Sequence, residues 1–298
     1  MGHHHHHHEV SGKRLGITIF LNVLITLGEL VGGIISGSMA LITDAAHNFS
    51  DVLSLIISYV ANRMAKRKAT TRETYGYRRS EIIAAFANSV TLIVISLIIF
   101  YEAINRLADP VEIKGGWVIL MAGASIFLNG LSVLLIKKDA KHNMNIRSAF
   151  LHLFSDMMTS VGVLASGLLI KFYNWYYADA IFSILIASYL LYLSWAIFRD
   201  SLKILMQFTP DNINIGSISK EISNIAGVRN IHHVHAWQLD DHKIIFEAHI
   251  DLDDDISISK FETKLVDIKQ ILLTHGIDHS NIQPEFNMKD DKALIHKI

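Results

Sequence analysis

Six long apolar stretches set the fold of this chain. They lie at approximately 14–36, 39–63, 81–107, 115–137, 148–171 and 177–199. Each is near or above the ~20 residues an α-helix needs to cross a bilayer. A mean hydropathy of +0.32 and a charged fraction of 18% agree with an integral membrane protein. The net charge of −1 gives no basic field for nucleic acid. With no cysteine in the chain, disulfides and thiolate metal sites are excluded, so any metal must be held by His, Asp, Glu or backbone oxygen. His3 to His8 read as an expression tag within a tail at 1–12.

Loop charge orients the spans. Segments 63–79 and 137–147 are strongly basic, Lys13 and Arg14 precede the first span, and Arg199 and Lys203 follow the last. The alternate connections SGSM, ADPVEIKG and NWYYAD carry few basic residues. The positive-inside rule then puts both termini and both basic loops in the cytoplasm, with Trp175, Tyr176 and Tyr177 as an interfacial belt on the other side. The organisation expected is a six-helix membrane domain at 13–208 and a cytoplasmic domain at 209–298. In the latter, a helix at 213–226, strands at 228–239 and 244–252, a helix at 257–274 and a strand at 281–287 give the order αββαβ, a small α+β domain.

The chemistry sits in an internal echo. Span two carries H-N-F-S-D at 47–51, and span five carries H-L-F-S-D at 152–156. Residues four apart share a helix face. An ionisable group in hydrocarbon costs about 2.5–3.5 kcal/mol on insertion scales, so His47, Asp51, His152 and Asp156 are hard to explain as packing. The two spans run in opposite directions. Asp51 lies about 18 Å and Asp156 about 12 Å from the inner ends of their helices, so the pairs can meet near mid-membrane. Two imidazoles and two carboxylates form a tetrahedral N2O2 set of the zinc type, while magnesium and calcium prefer six or more oxygens. Cobalt, iron, cadmium and nickel stay open. Asp44, three residues before His47, is a candidate acceptor for an imidazole N–H. Asn22, Glu29, Glu102, Asn129 and Asp179 either line the path or hold helices together. Gly28, Gly32, Gly33 and Gly37 offer close helix packing.

A second group lies in the C-terminal part. His232, His233 and His235 fall on one strand, where His233 and His235 share a face, and His249 is on the strand paired with it. His279, Gln283 and Glu285 surround the last strand.

These features resemble the cation diffusion facilitator family, the zinc-transporter type of efflux protein. The resemblance is carried by SGSMALITDAAHNFSD at 36–51, YGYRRSEIIAAFAN at 75–88, the second HxxxD at 152–156 and HHVHAW at 232–237. It covers all six spans and the C-terminal domain, which it makes metallochaperone-like. It implies a homodimer in a bacterial inner or plasma membrane that exports Zn2+ from the cytoplasm by alternating access, with protons as counter-ion. His47, Asp51, His152 and Asp156 map onto the family's intramembrane zinc site. His232, His249 and Glu285 align with ligands of cytoplasmic zinc sites, and His279 is a further candidate. Loop 69–79 has no His or Asp, so the loop site of some members is expected to be absent.

Protons and metal compete for a histidine near neutral pH, and metal binding releases protons, which suits antiport. Alternatives are a cadmium, cobalt or manganese carrier of the same type, or a membrane-tethered metal sensor, which would leave the buried HxxxD pairs without a role. An intramembrane metalloprotease would need H-E-x-x-H, which does not occur, so an enzyme is not expected. A closed four-ligand site favours a carrier over a channel.

Overall fold

The structure is a computed structural model. It describes residues 12–136, 144–240 and 243–295, and the side chains of these apart from 12–19, 55, 58, 59, 62, 135, 136 and 144–152. The tag and His142, His242 and His296 lie outside the described residues, as does the side chain of His152.

Six helices come first: α1 Gly12–Ser36, α2 Met39–Ala65, α3 Ser80–Ala108, α4 Gly115–Ile136, α5 Met144–Tyr173 and α6 Tyr177–Leu205. Among the described residues, four segments are long and apolar enough to cross a membrane: Ser80–Ala108, Gly115–Leu134, Leu153–Tyr173 and Tyr177–Leu205. Phe20–Ser36 is a shorter apolar helix. The 27 residues of α2 reach about 40 Å, more than a hydrocarbon core.

The polarity of this bundle is that of a membrane protein. Phe20, Ile34, Ile98, Phe127 and Phe172 point outward, while Glu29, Asp44, Asn48, Asn129, Asp156 and Ser160 are buried among the helices. In lipid there is no water to satisfy polar groups, so they turn inward and find each other. Close packing assists. A Cβ on Gly33 would meet Ile42 Cγ1 at 2.7 Å and its backbone N at 3.2 Å, so only glycine lets α1 lie this near α2. At Gly28 the added carbon would make only ordinary contact with Met121.

The start of α2 is fixed by a distant carboxylate. Gly37 ends α1 with φ +75°, and the Ser38 hydroxyl accepts from Leu41 N at 3.2 Å. Asp179, in the first turn of α6, accepts from Met39 N at 2.7 Å, Ala40 N at 3.2 Å and the Ser38 hydroxyl. A carboxylate there satisfies free N–H groups and complements the helix dipole. Arg106 of α3 donates to Gly37 O at 2.6 Å and comes within 3.9 Å of Asp179. The role left open for Asp179 is thus a cap on the helix that carries His47 and Asp51.

The C-terminal part follows the expected αββαβ order: α7 Ile215–Ser223, β1 Val228–Gln238, β2 Ile244–Leu252, α8 Ile258–Thr274 and β3 His279–Glu285. The helix expected at 213–226 is shorter, because the Asn214 side chain caps it by accepting from Ser217 N at 3.0 Å. The last strand begins two residues before the expected position, since it pairs in parallel with β2 from His279 onward. The sheet order is β1-β2-β3, with β1 and β2 antiparallel. Ile218, Ile222, Phe246, Ile250, Ile268 and Leu272 form its core with the helices, each fully buried aliphatic side chain contributing about 1.5–3 kcal/mol.

Two compact units emerge, Met1–Tyr59 with Ala87–Phe198, and Val60–Phe86 with Arg199–Ile298. The boundary expected at 208 and 209 falls inside the second unit. There the loop after α2 joins the C-terminal part, with Arg78 facing Asp240 at 3.8 Å and Tyr75 edge-on to His279 at 6.4 Å.

Candidate metal centres

In the membrane unit α2 and α5 bring three of the four expected residues together. His47 and Asp51 stand four apart on α2, with Nδ1 to Oδ2 at 3.7 Å. His47 Nε2 is 3.3 Å from Asp156 Oδ1 on α5. Ligand atoms of His47, Asp51 and Asp156 all lie within 4.8 Å of one another. Asp156 is fully buried, His47 nearly so, and the Asp51 side chain retains 20% exposure. His152 is on α5 one turn before Asp156, and only its backbone is described.

What holds this register is Asp44. It accepts hydroxyl hydrogen bonds from Thr159 at 2.8 Å and Ser160 at 2.7 Å. Asp44 is one turn before His47, and Thr159 and Ser160 are one turn after Asp156, as antiparallel helices require. One turn the other way, the same register sets position 152 level with Asp51. Further ties fix α2 from its other sides. Asn48 donates to Glu29 on α1 at 2.7 Å, and Ser50 donates to Asn88 on α3 at 3.3 Å. Of the remaining polar residues, Asn129 donates to Ser125 at 3.5 Å, and Glu102 meets Arg106 at 3.4 Å within its own helix.

The second unit holds a separate cluster. His232 on β1 pairs in register with His249 on β2, and His249 with Gln283 on β3. Ligand atoms of His232, His249, Glu285 and Asp290 lie within 4.8 Å of one another. His232 Nε2 is 3.3 Å from Glu285 Oε2 and 3.1 Å from Asp290 Oδ2. His249 Nδ1 is 2.8 Å from Glu285 Oε1 but without the direction of a hydrogen bond. Nδ1 of His232 is likewise buried without a hydrogen bond. Two imidazoles and two carboxylates, with imidazole nitrogens left unused, fit a zinc-type ion.

His279 does not join them. It is exposed at the opposite end of β3 from Glu285, six residues or about 20 Å along the strand, and meets Tyr75 instead. Asp290, which the sequence reading missed, stands where His279 was expected. The strict alternation assumed for β1 also breaks. A bulge between His232 and His235, with His233 at φ +51°, turns the His233 ring onto His249 at 4.6 Å while it stays 5.1 Å from His235.

One cation is already present. Lys292 Nζ lies 2.8 Å from Asp251 Oδ1 and 3.1 Å from Glu285 Oε2, and it also contacts Asp290. Burial opposes its charge, but the hydrogen bonds to Asp251, Asp290 and Glu285 outweigh that and raise its pKa above the usual lysine range. The hydrogen bond from Lys292 in turn holds the Asp290 carboxyl down to about 2.

Comparison with known proteins agrees with both halves of this architecture. The family described as "Cation efflux transmembrane domain" matches residues 15–206, and "Cation efflux protein, cytoplasmic domain" matches 210–286. The chain is 37% identical over 299 residues to the "Cadmium, cobalt and zinc/H(+)-K(+) antiporter" of Bacillus subtilis, covering 99% of this chain and 96% of that protein. It is 36% identical over 295 residues to "Zinc transporter ZitB" of Pectobacterium atrosepticum, covering 98% and 91%. It is 32% identical over 285 residues to the "Metal cation efflux system protein CzcD" of Cupriavidus metallidurans, covering 95% and 90%. With family matches spanning the helical unit and the sheet domain alike, this chain belongs to the cation diffusion facilitator family of membrane cation-efflux transporters.

Proposed function

We propose that the protein exports Zn2+ from the cytoplasm in exchange for protons, carrying the ion between α2 and α5. The observation that carries this reading is the convergence of His47, Asp51 and Asp156 within 4.8 Å, deep in the helical unit. His152, level with Asp51 by register, completes the set. The relatives named for zinc, cadmium and cobalt support a transition-metal cargo, and cadmium and cobalt are the next candidates.

Binding requires neutral imidazole and ionised carboxylate, so loading the ion expels protons and protonation expels the ion. His47, placed between Asp51 and Asp156, is the atom set at which the exchange occurs. Asp51 is the most exposed of the three and lies toward the Ala65 end of α2, which the loop charges assign to the cytoplasm. The other end of α2 is capped by Asp179, with Arg106 beside it. This arrangement suits an ion loading from inside. Both termini are cytoplasmic in this reading, the membrane is the bacterial inner or plasma membrane, and the chain works as a homodimer, which the matched cytoplasmic domain supports. His232, His249, Glu285 and Asp290 hold a regulatory zinc.

The test is flux in sealed vesicles under an imposed pH gradient, measured for zinc, cadmium, cobalt and manganese. Zinc flux that follows the gradient and disappears in Asp51→Ala is expected. Zinc flux indifferent to pH would remove the proton exchange, and unchanged flux in the variant would remove Asp51 from the pathway.

A further inference from the structure

The segment after β3 folds back on the free edge of β1. Val234 N donates to Leu294 O at 2.8 Å, His233 N to Ala293 O at 3.2 Å, and the Asn230 amide to Lys292 O at 3.4 Å. Leu294 packs against the sheet core. The pairing occurs at the bulge, where the register of β1 with β2 shifts between His232 and His235. This strap brings two opposite contributions to one place, the carboxylate of Asp290 and the ammonium of Lys292.

The ammonium occupies the metal's ground. It shares Glu285 Oε2 and Asp290 with His232, and its Nζ is 3.4 Å from His232 Nε2. Those are donor atoms that a zinc ion would draw to about 2.0–2.2 Å. A divalent ion and an ammonium at this spacing repel each other. They cannot both be held by Glu285 and Asp290. Lys292 has a way out: a third of its side chain is exposed, and its backbone is fixed by the strap, so only the flexible stem must swing.

We propose that the cytoplasmic cluster is a cation-exchange site, in which the Lys292 ammonium holds the metal-free ligand set together and an incoming zinc ion displaces it to bind His232, His249, Glu285 and Asp290. The inference rests on reading this cluster as a metal site. Asp251 keeps the His232 side of the cluster acidic, with Oδ2 3.7 Å from Nδ1, and it loses the lysine when metal enters. The tethered ammonium stops three carboxylates from repelling one another in the empty site, and it sets a threshold that the metal must exceed. The site therefore binds zinc more weakly than its four donors would alone.

The experiment uses the chain freed of His3 to His8, in detergent, with Asp51→Ala to silence the membrane site, and zinc alone as probe. Zinc affinity is measured by competition with a chromophoric chelator, with and without Lys292→Gln. Acetylation of Lys292 is followed by mass spectrometry beside the exposed Lys289. Lys292→Gln should tighten zinc binding about tenfold. In the chain retaining Lys292, acetylation at that residue should be slow without zinc and rise toward the Lys289 rate with it. Equal affinities together with unchanged acetylation overturn the exchange while leaving the metal site standing. Zinc binding that is indifferent to His249→Ala in both chains overturns the metal site itself, and the exchange with it.

Discussion

In the membrane unit, His47, Asp51 and Asp156 stand on two helices whose register is tied by Asp44, Thr159 and Ser160. In the second unit, His232, His249, Glu285 and Asp290 come from three strands and a strap, around the ammonium of Lys292. The donor chemistry is the same, two residue types in similar proportion. The settings differ in what keeps the donors together without metal. In the function proposed above, the site between α2 and α5 is held by helix packing, the setting expected of donors that load and release an ion. A sheet edge with a returning strap is looser, and a tethered cation stabilises it. In the reading proposed here, donor type points to both sites, and the support around the donors separates cargo from resident ion.

The largest effect expected is on flux. Asp156→Ala should lower zinc transport at least ~100-fold, since it removes a wholly buried ligand, whereas His249→Ala should change it by less than ~10-fold. Equal losses in vesicle flux would erase the distinction between the sites. Next comes helix packing. Gly33→Ala forces a carbon against the α2 backbone and should destabilise the membrane unit by about 1–3 kcal/mol, read as a lowered thermal midpoint in detergent. The same change at Gly28, which has room, should leave the midpoint nearly unchanged.

A smaller effect tests the register. Thr159→Val removes one hydroxyl from Asp44 and should cost about 1 kcal/mol, with zinc affinity at the membrane site weakened but not lost. No change in affinity would show that Asp44 does not position the ligands. The smallest effect is expected at the exposed Lys203–Asp211 pair, 2.8 Å apart. Its hydrogen bond with Lys203 lowers the Asp211 pKa, so its slight stabilisation is present above the unfolded carboxylate value of about 4 and fades as pH falls through the lowered folded value. Midpoints of the parent chain and Asp211→Asn should differ slightly at pH 7 and converge in acid. A gap that widened in acid would reverse the sign.

Much of this was legible in the amino-acid order because the information was local. The apolar runs gave helix limits within a few residues, and a spacing of four put His47 and Asp51 on one face. Gly33 marked a close helix approach, while the turn made by Gly37 with φ +75° appeared only in the structure. What the sequence concealed was long-range. That Asp179 would cap α2 from α6, or that Asp44 would face Thr159 and Ser160, depends on which helices are neighbours. His279 was misplaced because its distance from Glu285 along β3 matters only once β3 is paired with β2. Asp290 and Lys292 went unread because they reach the cluster only where the strap returns to β1, at a bulge that strict alternation does not foresee.

The most direct test is a count of tightly bound zinc in the protein freed of His3 to His8, with the cytoplasmic donors removed by His249→Ala and Glu285→Ala. One zinc per chain should remain, and adding Asp156→Ala should abolish it. Zinc retained undiminished after Asp156→Ala would contradict the assignment of the carried ion to the site between α2 and α5.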